Sequence, residues 1–113
     1  MERRRYPRVP VSLEAGFCEP NDTTLLPCRI VDVSRGGTRI ELSSDYHIES
    51  GETIELHVEL PGHGRRIVGL LTCTWKRAVA GDSPGDGYVV GGFFSDLTPE
   101  DRQLLLDSAA SMA

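Results

Sequence analysis

The sequence predicts a small all-β domain: six short antiparallel strands forming a barrel or sandwich, with one helix at the C-terminus. Three observations lead there. Apolar residues recur at every second position along most of the chain, the signature of half-buried strands. Glycine-rich turn compositions separate these runs at short intervals. A helix start signal is found in the last segment. At 113 residues, the chain is the length of one domain with a single core.

The first strand is read from Val9, Val11, Leu13, Ala15 and Phe17, with Ser12 and Glu14 between them. The second covers Leu26 to Val33, with Cys28 and Ile30 on one face. In the third, Thr38, Ile40 and Leu42 alternate with Arg39 and Glu41. The fourth has the cleanest alternation, Ile54, Leu56, Val58 and Leu60 against Glu55, His57 and Glu59. The fifth runs from about Arg65 to Lys76 and holds Trp75, and the sixth from Tyr88 to Phe94. The stretches SRGG, ESGE, PGHG and AGDSPGDG break the pattern, and PGHG reads as a hairpin between the fourth and fifth strands. The last segment, DLTPEDRQLLLDSAA, places Thr98 as N-cap, Pro99 at the first helical position, and Glu100 and Asp101 in the first turn, where acids complement the helix dipole. Leu104, Leu105 and Ala109 supply a narrow apolar stripe to pack on the β-structure. The expected organisation is an arginine-rich arm at 1–8, β-structure over 9–95 and a helix over 98–110.

Charge is unevenly distributed. The chain carries −5 overall. Arg3, Arg4, Arg5 and Arg8 against Glu2 put +3 on the first eight residues and leave −8 on the rest. An acidic body argues against a nucleic acid polymer as partner, which calls for a broad basic surface. A short cationic arm suits a small anionic ligand instead. Eleven of the twelve basic residues are Arg, whose planar fork matches phosphate and guanine edges. No apolar run is long enough to span a bilayer, and no apolar stretch follows the arginines as it does in a signal peptide, so the expected location is the cytoplasm. Cys18, Cys28 and Cys73 form no C-x-x-C pair and read as small buried hydrophobes. His47, His57 and His63 lack metal-set spacing, and His57 alternates on an exposed strand face. Ser34 lacks the strand–G-x-S-x-G–helix setting of a nucleophile. No enzymatic activity, cofactor or metal is expected.

Two patches carry chemistry. In Arg4-Arg5-Tyr6-Pro7-Arg8, Pro7 keeps Tyr6 out of the helical region, and an extended arm would set Arg4 and Arg8 up to roughly 13 Å apart, a dinucleotide's dimension. In Asp32-Val33-Ser34-Arg35-Gly36-Gly37, at the end of the second strand, Asp32 and Ser34 alternate to one face, and the glycines permit a tight turn and close approach of a ligand. Taken singly, the first reads as a solvated tail and the second as a plain hairpin turn.

Together, in this order around one alternating strand, they resemble the PilZ domain family, bacterial receptors for cyclic di-GMP, whose signatures are R-x-x-x-R and [DN]-x-S-x-x-G. Both motifs are complete here, and the Trp75 region and VVGGFFSDLTPEDRQLL are similar to the family's closing strands and helix. The resemblance implies a six-stranded antiparallel β-barrel with a C-terminal helix. It implies that Arg4 and Arg8 grip guanine and phosphate, that Asp32 and Ser34 meet a guanine edge, and that Gly37, with Gly36 beside it, admits the ligand. Arg5 and Arg35 are supporting contacts; Arg39 and Trp75 could line the same face, but Trp75 is read as core. The function implied is that of a cyclic di-GMP receptor whose arm orders on ligand binding and passes the signal to a protein partner in motility, exopolysaccharide or biofilm control. The alternative is a PilZ-like interaction module that binds no nucleotide.

Overall fold

The computed structural model describes residues 7–43, 46, 48–60, 62, 64–78 and 87–112. Six strands, β1 (Val9–Cys18), β2 (Leu26–Val33), β3 (Gly37–Leu42), β4 (Thr53–Glu59), β5 (Arg66–Ala78) and β6 (Tyr88–Asp96), precede one helix, α1 (Pro99–Met112). The strands close into a barrel in the order β1-β2-β3-β6-β5-β4, with β4 pairing back onto β1 and every pairing antiparallel. Each of the six described strands thus has a neighbour on both sides. Of the two sequence expectations, the barrel is observed and the sandwich is not. Strand bounds match the sequence reading to within one or two residues, and the helix runs two residues past Ala110.

Alternation builds the core as expected. Ile30, Ile40, Ile54, Leu56, Ile67, Leu71 and Val90 point inward and are fully buried. The described residues of the β3–β4 connection pack on the core. Ile48 is buried there, and the Tyr46 ring meets Phe17 edge-on with centroids 5.8 Å apart. Tyr88 Oη accepts from the Ile48 amide at 3.0 Å and donates to the Tyr46 carbonyl. The helix packs against β1 and β2. Its start is the one the sequence signals: Thr98 Oγ1 accepts from the Asp101 amide at 3.2 Å and the Thr98 carbonyl from Arg102 at 2.9 Å. Leu105 and Ala109 are buried, with Leu104 and Leu106 half-buried beside them.

Irregularities in pairing, rather than regular strand, shape the end of the barrel where β2 turns into β3. In β2–β3 the register shifts between Ile30 and Asp32. Ile30 and Val33 both lie in the core, three residues apart, which strict alternation forbids. The bulge around Val31 absorbs the extra residue and turns Asp32 away from the face that Cys28 and Ile30 share.

Candidate functional site

The site is built around Asp32. Strands β1 and β2 pair with Val9 opposite Val33 and Pro10 opposite Asp32, so Arg8, one residue before β1, lands beside the end of β2. Its Nη1 lies 3.5 Å from Asp32 Oδ1 and 3.4 Å from Oδ2. On the other flank, β3 sets Arg39 directly opposite Asp32. Arg39 Nε and Nη2 both contact Asp32 Oδ2, and the Arg39 amide donates to Oδ1 at 3.2 Å. The Asp32 side chain is 4% exposed, whereas those of Arg8 and Arg39 are each 29% exposed. One buried carboxylate therefore holds two guanidiniums at the surface. The trio keeps one net positive charge, and each fork has further N–H donors than those aimed at Asp32.

Ser34 and Gly37 form the corner itself. The Ser34 amide donates to the Gly37 carbonyl at 2.9 Å, and the Gly37 amide donates to Ser34 Oγ at 3.2 Å. The hydroxyl thus clamps the turn. Gly37 has a reason of its own to be glycine: a Cβ there would collide with the Gly92 carbonyl oxygen of β6. Close packing of β3 on β6 by itself calls for a glycine there. The Gly36 carbonyl accepts from the Phe94 amide at 3.1 Å, tying the corner to β6. Arg35 is exposed, and its carbonyl accepts from Arg102 Nη1 of α1 at 2.7 Å, linking the same corner to the helix.

A row runs sideways from Asp32 across four strands. Asp32 pairs with Arg39, Arg39 with Gly91, and Gly91 with Trp75. Gly91 lacks a side chain, and the Trp75 indole lies over it; a Cβ at Gly91 would overlap the ring. Trp75 is half-buried and absent from the core cluster, which corrects its reading as core. The register shift between Cys73 and Trp75 is the cause, because it breaks the alternation that buries Leu71 and Cys73. The Arg77 guanidinium carbon lies 5.7 Å from the indole centroid. The outer face thus presents two arginine forks and an indole in sequence along one line.

Of the sequence-predicted residues, the structure brings Arg8 and Asp32 into contact and gathers Ser34, Gly36 and Gly37 at the adjoining corner. Arg4 and Arg5 lie outside the described residues. Arg39 carries more of the site than the sequence reading assigned. Its signal was available: a turn closed by Ser34 and Gly37 sets position 33 opposite 38 and 32 opposite 39. A recess of about 640 Å³ lies elsewhere, between β1, the start of β2, His57 and Met112, so cavity size alone does not locate this site.

The PilZ domain model matches residues 2–111. The chain belongs to the PilZ domain family. Solved PilZ-type structures share its barrel. The inhibitor of motility MotI/DgrA of Bacillus subtilis superposes with a TM-score of 0.78 at 21% identity, covering 98% of this chain and 51% of that one. The PilZ domain with c-di-GMP of YcgR from Escherichia coli gives 0.73 at 19% identity, covering 98% and 92%. The K. pneumonia MrkH–c-di-GMP complex gives 0.73 at 18%, covering 98% and 54%. This PilZ chain spans about half the length of MotI and MrkH. At these identities the likeness is one of fold. No curated protein matches the chain. Among the described residues, no helix is long and apolar enough to cross a membrane.

Proposed function

We propose that this PilZ domain is a receptor for cyclic di-GMP, bound across the Arg8–Asp32–Arg39 cluster and enclosed by the arm that carries Arg4 and Arg5. The observation that carries the reading is the buried Asp32 carboxylate presenting two half-exposed guanidiniums on one face. The ligand supplies what those groups recognise. Each guanine has O6 and N7 acceptors matched to an arginine fork, and each phosphate takes the same fork with charge assistance. Trp75, in line beyond Gly91, offers a face on which a base stacks. Two of the three structures named above are complexes with c-di-GMP, which supports the choice of nucleotide.

In this reading Asp32 acts chiefly through the arginines, holding their forks in place so that little side-chain entropy is lost on binding. Ser34 and Gly37 shape the corner on which Arg8 rests, with Gly36 alongside. The signal leaves through the Arg35 carbonyl and Arg102, which couple the corner to α1 and to a downstream protein partner that reads the helix or the arm.

Isothermal titration with cyclic di-GMP tests the reading. A saturable heat is expected, abolished or strongly weakened in Arg8→Ala and in Arg39→Ala. Folded wild-type protein that gives neither heat nor chemical-shift change is a nucleotide-free interaction module instead. Amide exchange over residues 1–8 with and without ligand tests the enclosure by the arm; unchanged protection would refute it.

A further inference from the structure

A second cluster of chemistry-bearing side chains lies on the outer face where β1 meets β4, in residues the dinucleotide reading does not use. Strand β4 puts Glu55 and His57 on one face, two residues apart. The β1–β4 register sets Cys18 opposite Glu55 and Gly16 opposite His57. His57 Nε2 lies 2.7 Å from Glu55 Oε1, and Cys18 Sγ lies 3.9 Å from the same oxygen. The three donor atoms all fall within 4.8 Å of one another. Around a tetrahedral Zn²⁺, bonds of about 2.0–2.3 Å separate neighbouring ligand atoms by roughly 3.3–3.8 Å, so small side-chain rotations bring this triangle to coordination distance.

The surroundings point the same way. Cys18 is buried, and the Asp22 carbonyl, 3.5 Å from Sγ, covers it. Among the described residues Glu55 meets no Lys or Arg, and His57 is its ionic partner. His57 Nδ1 is buried with no hydrogen-bond partner among the described residues.

We propose that Cys18, Glu55 and His57 form a binding site for a divalent transition-metal cation, Zn²⁺ by the chemistry of its donors. Thiolate, imidazole and carboxylate together suit zinc and exclude Mg²⁺ and Ca²⁺, which take oxygen ligands. On binding, the Cys18 S–H releases its proton to solvent as the sulfur–metal bond forms, and His57 binds through the neutral Nε2. Three protein ligands leave the fourth position to a solvent oxygen. The metal staples the end of β1 to β4, on a face distinct from the Asp32 corner.

Cobalt(II) is the probe, added to full-length protein freed of metal with a chelator and shown to be folded by circular dichroism. The expected result is a thiolate-to-cobalt charge-transfer band with tetrahedral d–d bands, displaced by Zn²⁺. The band should vanish in Cys18→Ser and persist in Cys28→Ser, which places it at this thiol. Outer-shell partners alone change metal affinity by about 10–100-fold, so His57→Gln and Glu55→Gln, both at half-buried positions, should weaken cobalt binding by at least that factor. Affinity should rise with pH because a proton is released. A folded wild type without the band, or a band that survives Cys18→Ser or is unmoved by both β4 variants, overturns the proposal. None of these readouts involves nucleotide, so this test and the cyclic di-GMP titration fail independently.

Discussion

Replacing Asp32 with Asn keeps the shape of the side chain and removes the charge that two arginines share. Asp32 accepts from Arg8, from the Arg39 guanidinium and from the Arg39 amide, with its own side chain only 4% exposed. Removing one partner of a fully buried ion pair costs about 3–5 kcal/mol. Here the stranded guanidiniums are 29% exposed and rehydrate in part, and Asn retains an oxygen for the amide, which brings the loss to about 2–3 kcal/mol. Unfolding entropy of about 2.1 cal/mol/K per residue over 113 residues gives about 0.24 kcal/mol/K, so the thermal midpoint should fall by about 8–12 °C. Far-ultraviolet circular dichroism melts read the midpoint. Urea unfolding with an unchanged slope confirms that stability, not compactness, has moved. A double-mutant cycle with Arg39→Ala should return a coupling of about 0.5–3 kcal/mol. Cyclic di-GMP affinity should fall by about tenfold or more, since 1.4 kcal/mol of lost arginine placement is already a factor of ten. A midpoint within about 2 °C of wild type, together with zero coupling, would refute the claim that a buried carboxylate organises this face.

Three further outcomes follow from the same geometry. Gly37→Ala should destabilise the domain by about 1–3 kcal/mol in urea unfolding, because the new methyl meets the Gly92 carbonyl; wild-type stability would mean that β3 and β6 are not so closely apposed. Trp75→Ala should leave the fold intact and weaken cyclic di-GMP binding by about 10–100-fold, the range for one stacked base, and wild-type tryptophan fluorescence should change on ligand addition. Burial raises the thiol of Cys28 to about 12 and, with a contribution from Glu52, that of Cys73 to about 11, both from 9.0. Above pH 9 the unfolded chain loses these protons while the folded one keeps them, so urea-measured stability should decline from pH 9 towards 11, and less steeply in Cys28→Ala.

Most of the barrel was legible because its rule is local. Whether Ile54 or Glu55 faces the core depends on neighbours one and two positions away, and alternation writes that choice directly into β1, β3 and β4. The helix start was legible for the same reason, since Thr98 caps an amide only three residues on. The arginine arm and the Asp32 corner could be paired by motif, yet the contact between Arg8 and Asp32 depends on the β1–β2 register that sets Val9 opposite Val33.

What the chain order alone left open was settled by interruptions of alternation and by contacts across strands. The bulge around Val31 turns Asp32 to Arg39, and the one beside Cys73 brings Trp75 out of the core and over Gly91. Ser34 and Gly37 looked like ligand contacts, and the fold uses them first to close a turn and to let β3 pack on β6. Cys18 gave no sign of Glu55 and His57, because 37 residues separate it from Glu55 and barrel closure brings them together. Periodicity specifies the face a side chain occupies; a single-residue register shift reverses that face, and its free energy is set by partners on other strands that no local window contains.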